Sequence, residues 1–300
     1  MKATTKELFG IDDIPLKWEV EEILDSDDYI FDESLFKDFL AWWTASKFGE
    51  PLNLIGPTGC GKTSFVQEFA KRIGYSLYTV SCHGDMEVPE LLGNYILKDG
   101  DTTFQYGPVV RAMREGAILL LDEYDLLNPG TASGLNGVLE GRSIFLPETG
   151  ERIEPDPGFK VVLTSNTAGS GDLSGNYAGT QVQNKATLDR VWPLQVDYKI
   201  ENEKSLVAKL TNLPSSHHEK FFDIVETIRG KGEHDGYTFS TRVLLRYANM
   251  IVMFAKKEQQ GLCPFHYAID RAWAFSLDNE NRAVVHDLLQ RILGHDEKLY

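Results

Sequence analysis

Short apolar, strand-like runs alternate with helix-period stretches through the first two thirds of the chain. The strand-like runs are 52–55, 77–80, 118–121, 161–164 and 194–196, of which 118–121 is apolar throughout. Between them, segment 64–73 places Phe65, Val66, Phe69 and Ala70 at helical spacing. Segment 32–48 does the same with Leu35, Phe36, Phe39, Leu40, Trp42 and Trp43. The alternation predicts an α/β fold, a parallel sheet covered by helices. Beyond Ile200 the strand signals stop, and 221–229, 240–256, 264–276 and 281–293 are helical in period. The expected organisation is an acidic N-terminal arm at 1–28, an α/β core at 29–199 and a small α-helical lid at 200–300.

Two inserts interrupt the α/β pattern. Residues 95–104 alternate about Asp99-Gly100, a hairpin turn signal, between 88–92 and 107–115, which read as halves of one broken helix. Residues 143–153 read as a second hairpin ahead of the run at 161.

The candidate chemistry sits at the ends of the apolar runs. Gly56-Pro57-Thr58-Gly59-Cys60-Gly61-Lys62-Thr63, followed by Ser64, fits the phosphate-loop pattern between a strand and a helix. Such a loop turns backbone N–H groups toward phosphates at the positive end of the helix dipole. Lys62 is expected to reach the β- and γ-phosphates, and the Thr63 hydroxyl to ligate Mg²⁺. The chain is therefore expected to bind a nucleoside triphosphate. The run at 118–121 leads into Asp122-Glu123: Asp122 suits Mg²⁺, directly or through water, and Glu123 can orient the attacking water. A glutamate at 123, not Gln or Ala, points to turnover as opposed to passive binding. Asn166 closes another buried run, where it could hold the lytic water, touch the γ-phosphate or simply form a turn. Arg190 can serve a neighbouring subunit as an arginine finger or pair with Asp189 on its own surface. Arg242, opening a helix in the all-α part, is a second candidate phosphate sensor. Cys82-His83 and His217-His218 have no second pair at zinc-like spacing, which argues against a zinc site.

Composition narrows the setting. The 300 residues carry a formal charge of −15, which repels a phosphate backbone and disfavours non-specific nucleic-acid binding. No apolar run approaches the roughly 20 residues a membrane helix needs. The first ten residues lack a hydrophobic signal core, and three scattered cysteines suit reduced thiols. The expected location is cytoplasmic.

In chain order, GPTGCGKT, ILLLDE, LTSN, TLDR and FSTR resemble Walker A, Walker B, sensor 1, arginine finger and sensor 2 of an AAA+ ATPase. The two hairpins resemble the helix-2-insert branch that includes MoxR-type ATPases. Residues 80–85, 91–97 and 106–108 are similar to CbbQ/NorQ proteins, which activate rubisco or nitric-oxide reductase. Residues 121–125, 164–167, 177–181, 189–190 and the helix at Arg242 are more similar to the cobaltochelatase small subunit. The resemblance implies ATP as the nucleotide and a homo-oligomeric ring, a hexamer. Lys62, Thr63, Asp122, Glu123 and Asn166 would act from one subunit and Arg190 from its neighbour, with the side served by Arg242 left open. By family position, Tyr29 and Ile30 line the base pocket. The implied partners are a von Willebrand A-domain protein and a metalloenzyme, remodelled or loaded with metal during ATP hydrolysis. The first hairpin's tip, Lys98-Asp99-Gly100-Asp101, lacks the aromatic gripping residue of threading rings, which favours nudging a partner over threading it. A nucleic-acid motor and a nucleotide-controlled assembly module are the alternatives.

Overall fold

A computed structural model describes Phe9 and residues 29–45, 50–172, 177–256 and 261–294, with the side chains of 233–235 excepted. The expected N-terminal arm lies outside the described residues apart from Phe9. Two compact units are present. One contains the described residues of Phe31–Pro57 and Gly61–Val196. The other contains those of Asp28–Ile30, Thr58–Cys60 and Asp197–Tyr300.

The first unit opens with α1 (Glu33–Ala45), β1 (Leu52–Ile55), α2 (Lys62–Arg72) and β2 (Leu77–Ser81). Helix α3 (Val88–Leu92), strands β3 (Gly93–Lys98) and β4 (Asp101–Tyr106), and helix α4 (Pro108–Glu115) follow. Next come β5 (Ile118–Asp122), α5 (Pro129–Gly134), α6 (Asn136–Leu139), β6 (Ile144–Leu146) and β7 (Glu151–Ile153). Strand β8 (Lys160–Ser165), α7 (Lys185–Leu188) and β9 (Trp192–Gln195) complete it. The main sheet has five parallel strands in the order β2-β5-β8-β1-β9. Its central strands are the unbroken apolar runs of the sequence: Ile118 to Leu121 and Val161 to Leu163 are all buried. Helices on both faces remove the need for polar alternation.

Aromatic packing seats the helix that follows β1. Phe65, Val66, Phe69 and Ala70 form the buried face of α2. Phe39 of α1 lies 5.0 Å from the Phe65 ring and 4.7 Å from the Phe69 ring, centroid to centroid. Rings in this range add attraction to their area burial. The indole N–H of Trp42 donates to the Glu50 carbonyl at 2.9 Å and ties α1 to the entry of β1.

Both inserts are two-stranded antiparallel hairpins, β3-β4 and β6-β7. At the first tip Asp99 and Gly100 have φ of 53° and 90°, the paired left-handed geometry that an Asp-Gly turn supplies. The hairpins touch each other: the Tyr95 hydroxyl donates to the Glu148 carbonyl at 2.6 Å, and that of Tyr106 to the Glu151 carboxylate at 2.5 Å.

The second unit consists of α8 (Ile200–Leu210), α9 (Ser215–Asp235), α10 (Thr241–Met253), α11 (Pro264–Ala272) and α12 (Asn279–Leu293). Its core gathers Phe221, Ile224, Ile228, Phe239, Leu244, Tyr247, Ile269 and Leu289. Helix α8 was not separately marked by the sequence pattern, because its buried face includes Glu203 beside Val207. None of the described helices is long and apolar enough to cross a membrane.

Candidate nucleotide site

Parallel pairing brings the carboxyl ends of β1, β5 and β8 side by side, with Ile55 opposite Ser165 and Leu121 opposite Leu163. Open parallel sheets bind ligands along this edge. The loop leaving β1 needs its glycines: Gly59 and Gly61 have φ of 67° and 98°, and Gly61 caps α2. A side chain at either position would be strained.

Lys62 is 8% exposed although it carries a full charge. Its ammonium donates to the carbonyls of Gly56 and Pro57 at 2.6 and 2.9 Å, and to Asn166 Oδ1 at 3.0 Å. Three neutral oxygens hold the lysine head, and all three can give way to the stronger charge-assisted acceptors of a phosphate. The Thr63 hydroxyl donates to Asp122 Oδ1 at 2.6 Å, and the Thr164 hydroxyl donates to the same oxygen at 2.5 Å. Thr63 and Asp122 form an all-oxygen donor set of the kind hard divalent cations take. Lys62 and Thr63 are thus brought together with Asp122 and Asn166, which are distant from them in sequence.

Glu123 follows directly. Its φ of 56° and ψ of 42° are left-handed, uncommon for a side chain of this size, and its N–H donates to Thr164 Oγ1 at 3.0 Å. The carboxylate is exposed, in position to meet water. Ser64 is also exposed, in the first turn of α2.

Asp125 escaped selection from the sequence. It is 1% exposed in the short 3₁₀ turn Tyr124–Leu126. Its Oδ2 accepts from the N–H groups of Asn166 and Thr167, both at 2.9 Å, and from the Thr167 hydroxyl at 3.1 Å. One buried carboxylate therefore fixes the loop that carries Asn166. The available signal was a charged residue two positions past the acidic pair, ahead of Leu126-Leu127. Thr164, the other residue not singled out, was marked by a hydroxyl inside an apolar run. Cys82 lies beside this cluster. Burial, and then the carboxylates of Asp122, Asp125 and Glu123, push its thiol up to about 12, so it stays neutral.

Arg190 makes different contacts. It donates to the Glu140 carboxylate and the Ala186 carbonyl. The acidic partner is Glu140, not the adjacent Asp189 considered from the sequence, because the short helix α7 carries the Arg190 side chain toward the end of α6. Hydrogen bonding from Arg190 holds the Glu140 carboxyl below its ordinary range, and Arg142, 2.7 Å away, adds to the effect. Arg190, Glu140, Arg142, Asp189 and Trp192 help line an open cleft of about 770 Å³.

In the helical unit, Ser240 caps α10 by accepting from the Val243 N–H at 3.2 Å, and Arg242 is exposed in the first turn. Thr58, Gly59 and Cys60 group with this unit, as do Tyr29 and Ile30. A Cβ added to Gly59 would lie 2.7 Å from Ser240 Cβ and 3.9 Å from Arg242 Cβ. Arg242 is therefore a neighbour of Gly59.

A phosphate loop after β1, an acidic pair after β5 and an amide after β8 define the class of P-loop ATPases. Residues 51–190 match the AAA domain of the dynein-related subfamily. The denitrification regulatory protein NirQ of Stutzerimonas stutzeri is 33% identical over 223 residues, 73% of this chain and 76% of its own. Protein NorQ of Paracoccus denitrificans is 35% identical over 203 residues, 67% of this chain and 73% of its own. An uncharacterized protein of Staphylococcus haemolyticus is 31% identical over 261 residues, 83% and 91% of the two chains. The chain belongs to the AAA ATPase family that includes NirQ and NorQ, and it is an ATP hydrolase.

Proposed function

We propose that the chain forms an oligomeric ring, a hexamer, that couples Mg²⁺-dependent ATP hydrolysis to remodelling or metal loading of a partner metalloenzyme. The convergence of Lys62, Thr63, Asp122 and Asn166 on one sheet edge, with Glu123 turned out beside them, carries the hydrolytic part. Thr63 and Asp122 would hold Mg²⁺, which supplies charge neutralisation at the phosphates. Lys62 binds the β- and γ-phosphates, Glu123 orients and polarises the attacking water, and Asn166 positions that water or the γ-phosphate. Arg190 then leaves Glu140 to act on the nucleotide of an adjacent subunit, and Arg242 senses phosphate beside Gly59. Tyr29 and Ile30 border the base.

The partner reading rests on kinship with NirQ and NorQ, the first of which is described as a denitrification regulator. A von Willebrand A-domain protein is the expected adaptor. A Glu123→Gln chain, purified with ATP from its native host, should retain ATP and its partner. Recovery of a metalloenzyme or a metal-adhesion-domain protein supports remodelling; recovery of nucleic acid would overturn it.

A further inference from the structure

A polar relay built on a buried glutamate of the helical unit ends on Thr58 of the phosphate loop. Glu203 of α8 is 2% exposed. Arg229 of α9 grips it with two hydrogen bonds of 2.6 and 2.7 Å, and the Thr241 hydroxyl adds a third at 2.5 Å. A buried carboxylate is tolerated only when bonded in this way. A further donor of Arg229, Nε, reaches the Phe239 carbonyl at 2.8 Å. The guanidinium is thereby fixed, and its carbon lies 4.2 Å from the centroid of the Tyr198 ring. A cation held over an aromatic face orients the ring. The Tyr198 hydroxyl donates to the Thr58 carbonyl at 2.7 Å. Thr58, Tyr198, Glu203 and Arg229 all lie within the same compact unit.

We propose that Tyr198, held by the Glu203–Arg229 pair, is a positioning residue that sets the phosphate loop before nucleotide arrives. A trans peptide points its C=O and N–H in opposite directions. Anchoring the Thr58 carbonyl on Tyr198 therefore fixes the direction of the Gly59 N–H. Gly59, in a left-handed conformation with no side chain, has little of its own to hold that peptide still. Preorganising a donor removes part of the ordering that binding would otherwise require. Glu203 also accepts from Thr241, next to Arg242, so one carboxylate steadies both the loop anchor and the start of α10.

The test is Tyr198→Phe in the full chain, which removes only the hydroxyl. Affinities for ATP, ADP and adenosine are measured by titration and competition, alongside steady-state kinetics and calorimetric melting. Loss of one positioning hydrogen bond should weaken ATP and ADP binding roughly three- to tenfold. Adenosine affinity, kcat and the melting transitions should hold, so the change falls on KM. In an Arg229→Lys background, which loses the planar fork, the same substitution should matter less, because the two residues act through one path. Unchanged ATP affinity in Tyr198→Phe overturns the proposal. So does a parallel loss for adenosine, which would make Tyr198 a contact to the nucleoside. A fall in affinity that follows a lowered melting transition assigns a structural role and overturns it as well.

Discussion

Replacing Asp125 with alanine separates the support of the Asn166 loop from the chemistry at its surface. The carboxylate Oδ2 satisfies two backbone N–H groups and one hydroxyl at 2.9, 2.9 and 3.1 Å. Alanine leaves all three donors without their acceptor in a site that is 1% exposed. An unsatisfied buried donor costs about 1–3 kcal/mol, and local collapse or entering water recovers part of the sum. The expected loss is about 3–5 kcal/mol, the lower part of the sum of three such penalties. At roughly 2–4 °C per kcal/mol for a unit of this size, the α/β unit should melt about 6–20 °C lower. Differential scanning calorimetry reads this directly, and the transition of the helical unit should stay in place. Asp125→Asn keeps an acceptor but loses its charge, and should fall between the two. Turnover should drop with stability still sufficient at 20 °C, since Asn166 hangs from the same carboxylate. An Asp125→Ala chain with normal melting and normal kcat would refute this account of the loop.

Lys62→Ala and Arg190→Ala should each abolish most turnover, yet mixing the two chains should restore part of it, because a site joining Lys62 of one subunit to Arg190 of another becomes possible; no recovery on mixing would argue that Arg190 acts within its own chain. Chelation with EDTA should stop hydrolysis, and added Mg²⁺ should restore it in a phosphate-release assay. The Glu140 carboxyl is held below its ordinary value, so its pairing with Arg190 supports the fold above the unfolded carboxylate range, near pH 4.3, and is lost as pH falls through the depressed folded value. Glu140→Gln should therefore narrow the difference in melting temperature between pH 7 and pH 3; an unchanged difference would show that the pair is not what titrates.

Most of the fold was legible because backbone hydrogen bonding and burial leave coarse marks. Strands β5 and β8, covered on both faces, read as unbroken apolar runs, and Asp99-Gly100 announced its hairpin through the φ it had to adopt. The phosphate loop was legible for a similar reason, since its glycines answer to backbone geometry. Long-range polar pairing left no such mark. A glutamate at 203 interrupts the apolar face of helix α8, and its partner Arg229 lies 26 positions away, so nothing local marks it as buried. Asp125 read as one more acid in an acidic chain, and only the return of β8 beside β5 shows what it holds. Arg190 was noticed, but its partner Glu140, 50 residues earlier, could not be chosen over the adjacent Asp189 without the path of the chain.

The left-handed backbone at Glu123 sets stability against the role proposed for its carboxylate at a single codon. A non-glycine residue held in this region carries a cost on the order of 1–3 kcal/mol when the surrounding structure enforces it. Glycine at 123 would relieve that strain and remove the carboxylate in one step, so, with Glu123 as the proposed water-orienting group, a more stable chain without turnover is expected one substitution away. A selection for folding alone would drift toward it, and a selection for turnover must keep rejecting it. Screens that rank variants of this enzyme by thermal stability should therefore be expected to favour inactive chains at this position.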